Sequence, residues 1–146
     1  MASKGTFPDG DTTSLEELVA KRILKGSALS GMLGRITGVN VWPASVNRRH
    51  RNEVPSVHIS RPSLAHSNVR AFITAPGMDG ATVRAWLEHA GLNGIPLGES
   101  WGNTFAEFPA DVSAGYVVEW AIAALKAMGA SPAEGWRYEG EKPDSD

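Results

Sequence analysis

From Ser113 to Gly129 the chain reads SAGYVVEWAIAALKAMG, and within it only Glu119 and Lys126 are charged. Val118, Ala121, Ile122, Leu125 and Met128 recur at the spacing of one helical face, and Val117, Trp120 and Ala124 widen that face. Ser113 suits the N-cap, and Gly129 suits the position just past the last turn. A helix that is apolar nearly all round must be covered on most sides, by its own sheet or by a partner. The stretch therefore predicts a core element with a docking surface. Trp120, Ile122, Leu125 and Met128 are the candidate protein-binding residues, with Trp86 contributing from another helix.

The rest of the chain is read in order around that helix. Residues 1–12 are polar and form a flexible N-terminal tail. A first helix starts at Thr13, where Thr13-Ser14-Leu15-Glu16 fits a capping box, and its apolar face follows Leu15, Leu18, Val19 and Ile23. Three alternating stretches, Arg35 to Trp42, Val54 to Ser60 and Asn68 to Ala75, predict strands joined by connections too short for a helical crossover, hence an antiparallel meander. Asp79 caps a second helix carrying Val83, Trp86 and Leu87, and Gly91-Leu92 stops it. Ile95 to Trp101 and Thr104 to Phe108 form a hairpin across Gly102-Asn103, and the long apolar helix follows. The predicted order is α-β-β-β-α-β-β-α. This is an α+β domain spanning residues 13–130, with an antiparallel sheet of about five strands and helices on one face. Residues 131–146 are read as an acidic C-terminal tail whose first part is pinned by Trp136 and Tyr138.

At 146 residues with 42% hydrophobic and 21% charged residues, one globular domain with a real core is expected. The absence of cysteine excludes disulfides, thiolate metal sites and cysteine nucleophiles. No apolar run is long enough for a membrane span or a signal peptide, so a cytoplasmic protein with no membrane partner is the expectation. The net charge of −2 conceals a segregation. Residues 21–70 hold nine basic side chains against Glu53 alone, while residues 71–146 hold four basic against eleven acidic. Either the middle segment meets an anionic partner, or the two halves face each other within the fold or across a dimer.

Motifs for chemistry are sparse. Gly98-Glu99-Ser100-Trp101-Gly102 matches the nucleophile-elbow pattern, but a strand follows Ser100 where that elbow needs a helix, and no histidine comes later in the chain. The four histidines lack metal-ligand spacing, so no metal and no cofactor is expected. Glu99 and Glu107 are placed opposite each other across the hairpin, without the cleft that paired-carboxylate chemistry needs. The glycines Gly26, Gly31, Gly34 and Gly38 lack the strand and the Gly-Lys-Ser/Thr ending of a phosphate cradle. The strongest surface signal is Arg48-Arg49-His50-Arg51, read as a loop. Its guanidiniums suit phosphate, Trp42 just before it suits a stacked base, and Arg35 and Arg61 extend the candidate anion site.

The element order and the segment WGNTFAEFPADVSAGYVVEWAIAALKAMG resemble the type III secretion chaperones and their YbjN-type relatives. That resemblance implies a small dimerising α+β protomer that binds other polypeptides, although the basic middle segment departs from the acidic balance of that group. Three functions are thus expected in order. The first is a non-catalytic protein-binding module, chaperone- or adaptor-like and homodimeric. The second is a nucleic-acid-binding protein using the 48–51 segment. The third is a small enzyme or ligand-binding protein with a pocket between sheet and helices, where His58, His66 or Glu107 would act.

Overall fold

A computed structural model describes residues 4–24, 38–61, 68–100 and 102–141. Arg35, His66 and the glycines at 26, 31 and 34 lie outside the described residues.

Each helix begins and ends where local chemistry directs. α1 (Thr13–Val19) runs on into a π-helical turn, Ala20–Leu24. Its N-cap is Thr12, one residue before the predicted one, and the Thr12 hydroxyl donates to the Glu16 carboxylate. α2 (Gly80–His89) starts at Asp79, whose carboxylate accepts from Thr82 N at 2.8 Å. It stops at Gly91, where Leu92 N reaches back to Leu87 O at 2.9 Å. α3 (Ala114–Ala127) starts at Ser113, whose hydroxyl accepts from Tyr116 N at 3.2 Å, and Ala130 N closes it on Leu125 O.

The strands are β1 (Lys4–Phe7), β2 (Gly38–Pro43), β3 (Ser56–Ser60), β4 (Val69–Thr74), β5 (Leu97–Ser100), β6 (Asn103–Phe108) and β7 (Trp136–Glu141). They form one fully antiparallel sheet in the order β1-β7-β2-β3-β4-β6-β5. The α+β class and the β2-β3-β4 meander match the sequence reading. The strand number does not: among the described residues the sheet has seven strands, and both additions come from the segments read as tails. Trp136 and Tyr138 alternate with Arg137 and Glu139, and that period of two makes a strand once Phe7 is placed opposite Trp136. With β1 and β7 added, the element order is longer than the one that carried the chaperone resemblance. The hairpin between β5 and β6 also turns one residue earlier than expected, because Ser100 pairs with Asn103.

Register explains the core. Val39 and Val41, Val57 and Ile59, and Val69, Ala71 and Ile73 fall on one face, joined by Ala106, Phe108, Trp136 and Tyr138. The helices bring Leu15, Leu18, Leu87, Val118, Ala121 and Leu125 against them, and all are buried. The opposite, outer face of the sheet carries the alternate residues, and no described α-helix lies on it.

Candidate functional site

The connection from β2 to β3 is a 3-10 helical turn, Arg48–Glu53, where an irregular loop was expected. Val46 N bonds Pro43 O at 3.1 Å and His50 N bonds Asn47 O at 3.0 Å, so the segment turns back as soon as β2 ends. The turn folds over the outer face. Trp42 points to that face and is only 1% exposed, with its indole N–H donating to Val46 O at 2.8 Å. The Arg51 guanidinium lies 5.8 Å from the centre of the Trp42 ring, a cation–π arrangement. Trp42 is therefore the support beneath an arginine and not an open stacking platform, which corrects the sequence expectation.

The arginines differ in what they meet. Arg48 is 74% exposed and its Nε lies 3.0 Å from Glu139 of β7. Arg49 is exposed and, among the described residues, reaches no carboxylate; Arg51 likewise has the Trp42 ring and no acidic partner there. His50 and Glu53 form an exposed contact of 2.7 Å at the other side of the turn. Between this turn and β7 runs an open cleft of about 470 Å³ lined by Lys4, Asn40, Arg48, Arg51, Glu139 and Glu141. A neighbouring cleft of about 370 Å³ continues along β1 past Thr6 and Arg137, and Arg48 borders both.

Arg61 does not extend this cluster. Its guanidinium donates to Leu24 O at 2.7 Å and to Ala110 O at 2.8 Å, tying the end of α1's wider turn to the β6–α3 connection. Its charge caps carbonyls inside the fold, so its assignment to an anion site is corrected to a structural role.

The outer face continues across the middle strands. Lys4, Glu139, Asn40, His58, Phe72 and Phe105 stand in one row of cross-strand partners. His58 Nδ1 lies 2.9 Å from Asn40 Oδ1, which fixes its proton on that nitrogen, and 3.5 Å from Glu141. Burial holds its pKa below the usual histidine value; Glu141 pulls it up and Arg51 pushes it down, and burial dominates. The rings of His58 and Phe72 are 6.5 Å apart, and those of Phe72 and Phe105 are 5.2 Å apart. Arg70 lies over Phe105 at 4.5 Å, and its Nε sits 3.3 Å from Glu107 with no hydrogen aimed at it, so that attraction is coulombic. Phe72, Phe105 and Arg70 were absent from the sequence candidates. The signal was present in β4, where Phe72 breaks an otherwise polar alternate face between Arg70 and Thr74.

The segregated charges meet within the fold in Arg48–Glu139 and Arg70–Glu107. The basic segment is thus partly neutralised, and in the 48–51 turn Arg49 and Arg51 have no acidic partner among the described residues. The docking residues fare differently. Trp120, Ile122, Leu125 and Met128 are buried against the chain's own core at 6%, 7%, 0% and 4% exposure, whereas Trp86 is 44% exposed. Four of the five are therefore corrected from surface to core, because α3 is wedged between the sheet and α1. Glu99 and Glu107 do not face each other: Glu99 pairs with Thr104 on the helix side, and Glu107, three residues on, points to the outer face. Among the described residues no group of three or more histidines and carboxylates gathers to hold a metal, and no helix is long and apolar enough to cross a membrane. No family model matches the chain, and comparison with curated proteins and with solved structures gives no significant match.

Proposed function

We propose that the protein is a non-catalytic nucleic-acid-binding module that grips phosphate with Arg48, Arg49 and Arg51. The observation that supports this reading is the 3-10 turn itself. It raises three guanidiniums, of which those of Arg48 and Arg51 line an open polar cleft, and Arg49 and Arg51 have no carboxylate partner among the described residues. Arginine presents a planar fork of donors that matches phosphate oxygens, and stacking on Trp42 orders the Arg51 fork before any ligand arrives. The Arg48–Glu139 pair is no obstacle, because the Arg48 side chain is 74% exposed and its fork can turn from one carboxylate to the successive phosphates of a polyanion. On this reading the compartment is the cytoplasm. The docking reading, with its homodimer and its chaperone-like role, keeps Trp86 alone as an exposed anchor.

Fluorescence anisotropy with labelled mixed-sequence DNA and RNA across a salt series tests the proposal. The expected result is binding whose logarithm falls linearly with the logarithm of salt. Replacing all three arginines by alanine should weaken binding and lower the slope by roughly one per lost phosphate contact. Unchanged affinity in the triple variant, or no binding at low salt, would overturn it.

A further inference from the structure

We infer that the nucleic acid is single-stranded and that its bases stack on the outer-face rings of His58 and Phe72; this rests on the nucleic-acid reading above. A duplex hides its base faces and offers a protein its backbone and groove edges, whereas a single strand presents an apolar face on every base. The outer face is built for the second. Phe72 is half-buried on β4, beside the central strand β3, flanked by His58 at 6.5 Å and by Phe105 at 5.2 Å. The Arg70 guanidinium covers Phe105, so that ring is 8% exposed and serves as a rigid neighbour. His58 keeps 30% of its side chain exposed.

The rings and the arginine turn are close enough to serve one strand. Asn40 lines the arginine cleft, and the row Asn40–His58–Phe72 crosses two strand spacings, about 10 Å. Charge agrees with a polyanion. Lys4, Arg48, Arg49, Arg51, Arg70 and Arg137 stand on this face and its bordering turn. The carboxylates there are fewer, and Glu107, Glu139 and Glu141 each lie against an arginine or His58. A base on Phe72 would carry its phosphate toward the cleft that Asn40 and Arg51 line together.

The test is an anisotropy titration of a short labelled single strand and of the duplex of the same sequence, with the wild-type protein, Phe72→Leu, Phe72→Tyr and the triple arginine variant. The single strand should bind at least about tenfold tighter than the duplex. Phe72→Leu keeps an apolar side chain without a ring. It should weaken single-strand binding by about five- to a hundredfold and leave duplex binding unchanged. Phe72→Tyr keeps the ring and should keep the preference, a readout that holds even if the leucine variant melts early. Equal affinity for both forms, an unchanged leucine variant or loss of preference in the tyrosine variant overturns this inference, while loss of binding in the triple arginine variant still upholds the phosphate grip. No binding of either form at low salt overturns both.

Discussion

Gly135 holds a φ of +82° in the turn that launches β7, and a Cβ there would sit 2.4 Å from the carbonyl oxygen of Phe7. Both the left-handed backbone and the backbone neighbour forbid a side chain, so Gly135→Ala should destabilise the protein by about 1–3 kcal/mol in denaturant titrations. His58 makes a pH prediction. It faces Asn40 and Glu141, has Phe72 as its ring neighbour and Gly38 against its Nε2 edge, and feels the charge of Arg51. Its folded pKa lies below the ordinary value of 6.5, so below that pH the unfolded chain binds the proton more readily than the folded one. Its contribution to stability is present above that value and is lost as pH falls through it toward the lowered folded pKa. His58→Gln keeps hydrogen-bonding capacity and should flatten that part of the stability profile relative to wild type, as thermal midpoints across the window will show. Equal pH slopes in the two proteins would count against it.

At the scale of elements, α3 separates burial from display. Leu125 is fully buried, and Leu125→Ala should cost about 2–5 kcal/mol of stability. Trp86→Ala, on an exposed position of α2, should change stability by about 0.5 kcal/mol or less. The apolar breadth of α3, its serine cap and its glycine stop were legible because they are local and strongly periodic. What covered that breadth was not legible. Sequence periodicity says that a face must be buried and is silent on whether the cover is a sheet of the same chain or a second molecule. The arginine turn was legible as composition, but its partners were not, because Glu139 lies some ninety residues away and only strand register brings it to Arg48. That pairing makes a further prediction. Glu139→Gln removes the acidic competitor and should tighten nucleic-acid binding several-fold at low salt, with the gain shrinking as salt screens it. Weaker binding in this variant would mean that Glu139 orients Arg48 for its ligand.

For the whole molecule, the informative error of the sequence reading lies at the two ends. Phe7, Trp136 and Tyr138 were visible as isolated apolar residues in polar surroundings, and a strand with one or two apolar positions carries too little pattern to be recognised alone. Pairing supplies what pattern lacks. Trp136 is fully buried, and its indole N–H donates to Asp9 at 3.1 Å while Lys126 of α3 holds the same carboxylate. These two donors keep the Asp9 pKa below the usual carboxylate value, the indole hydrogen bond being the larger cause. A chain ending before Ser131 should fail to show a cooperative melting transition, because it exposes the Trp136 site, leaves β1 without a partner strand and leaves β2 paired on its β3 side alone. A sharp transition near the wild-type midpoint would show that β7 is dispensable.

The position of β7 also bears on how the protein is made. It inserts between β1 and β2, joining Gly38 to Glu141 across about a hundred positions of sequence, so the sheet is closed by its latest strand. While a ribosome is still adding residues 136–141, the emerging chain holds a completed meander whose β2 edge has nothing to pair with. Productive folding therefore waits on the end of this segment's synthesis. During that interval the growing chain depends on dilution or on an escort to keep the bare β2 edge from pairing with another copy.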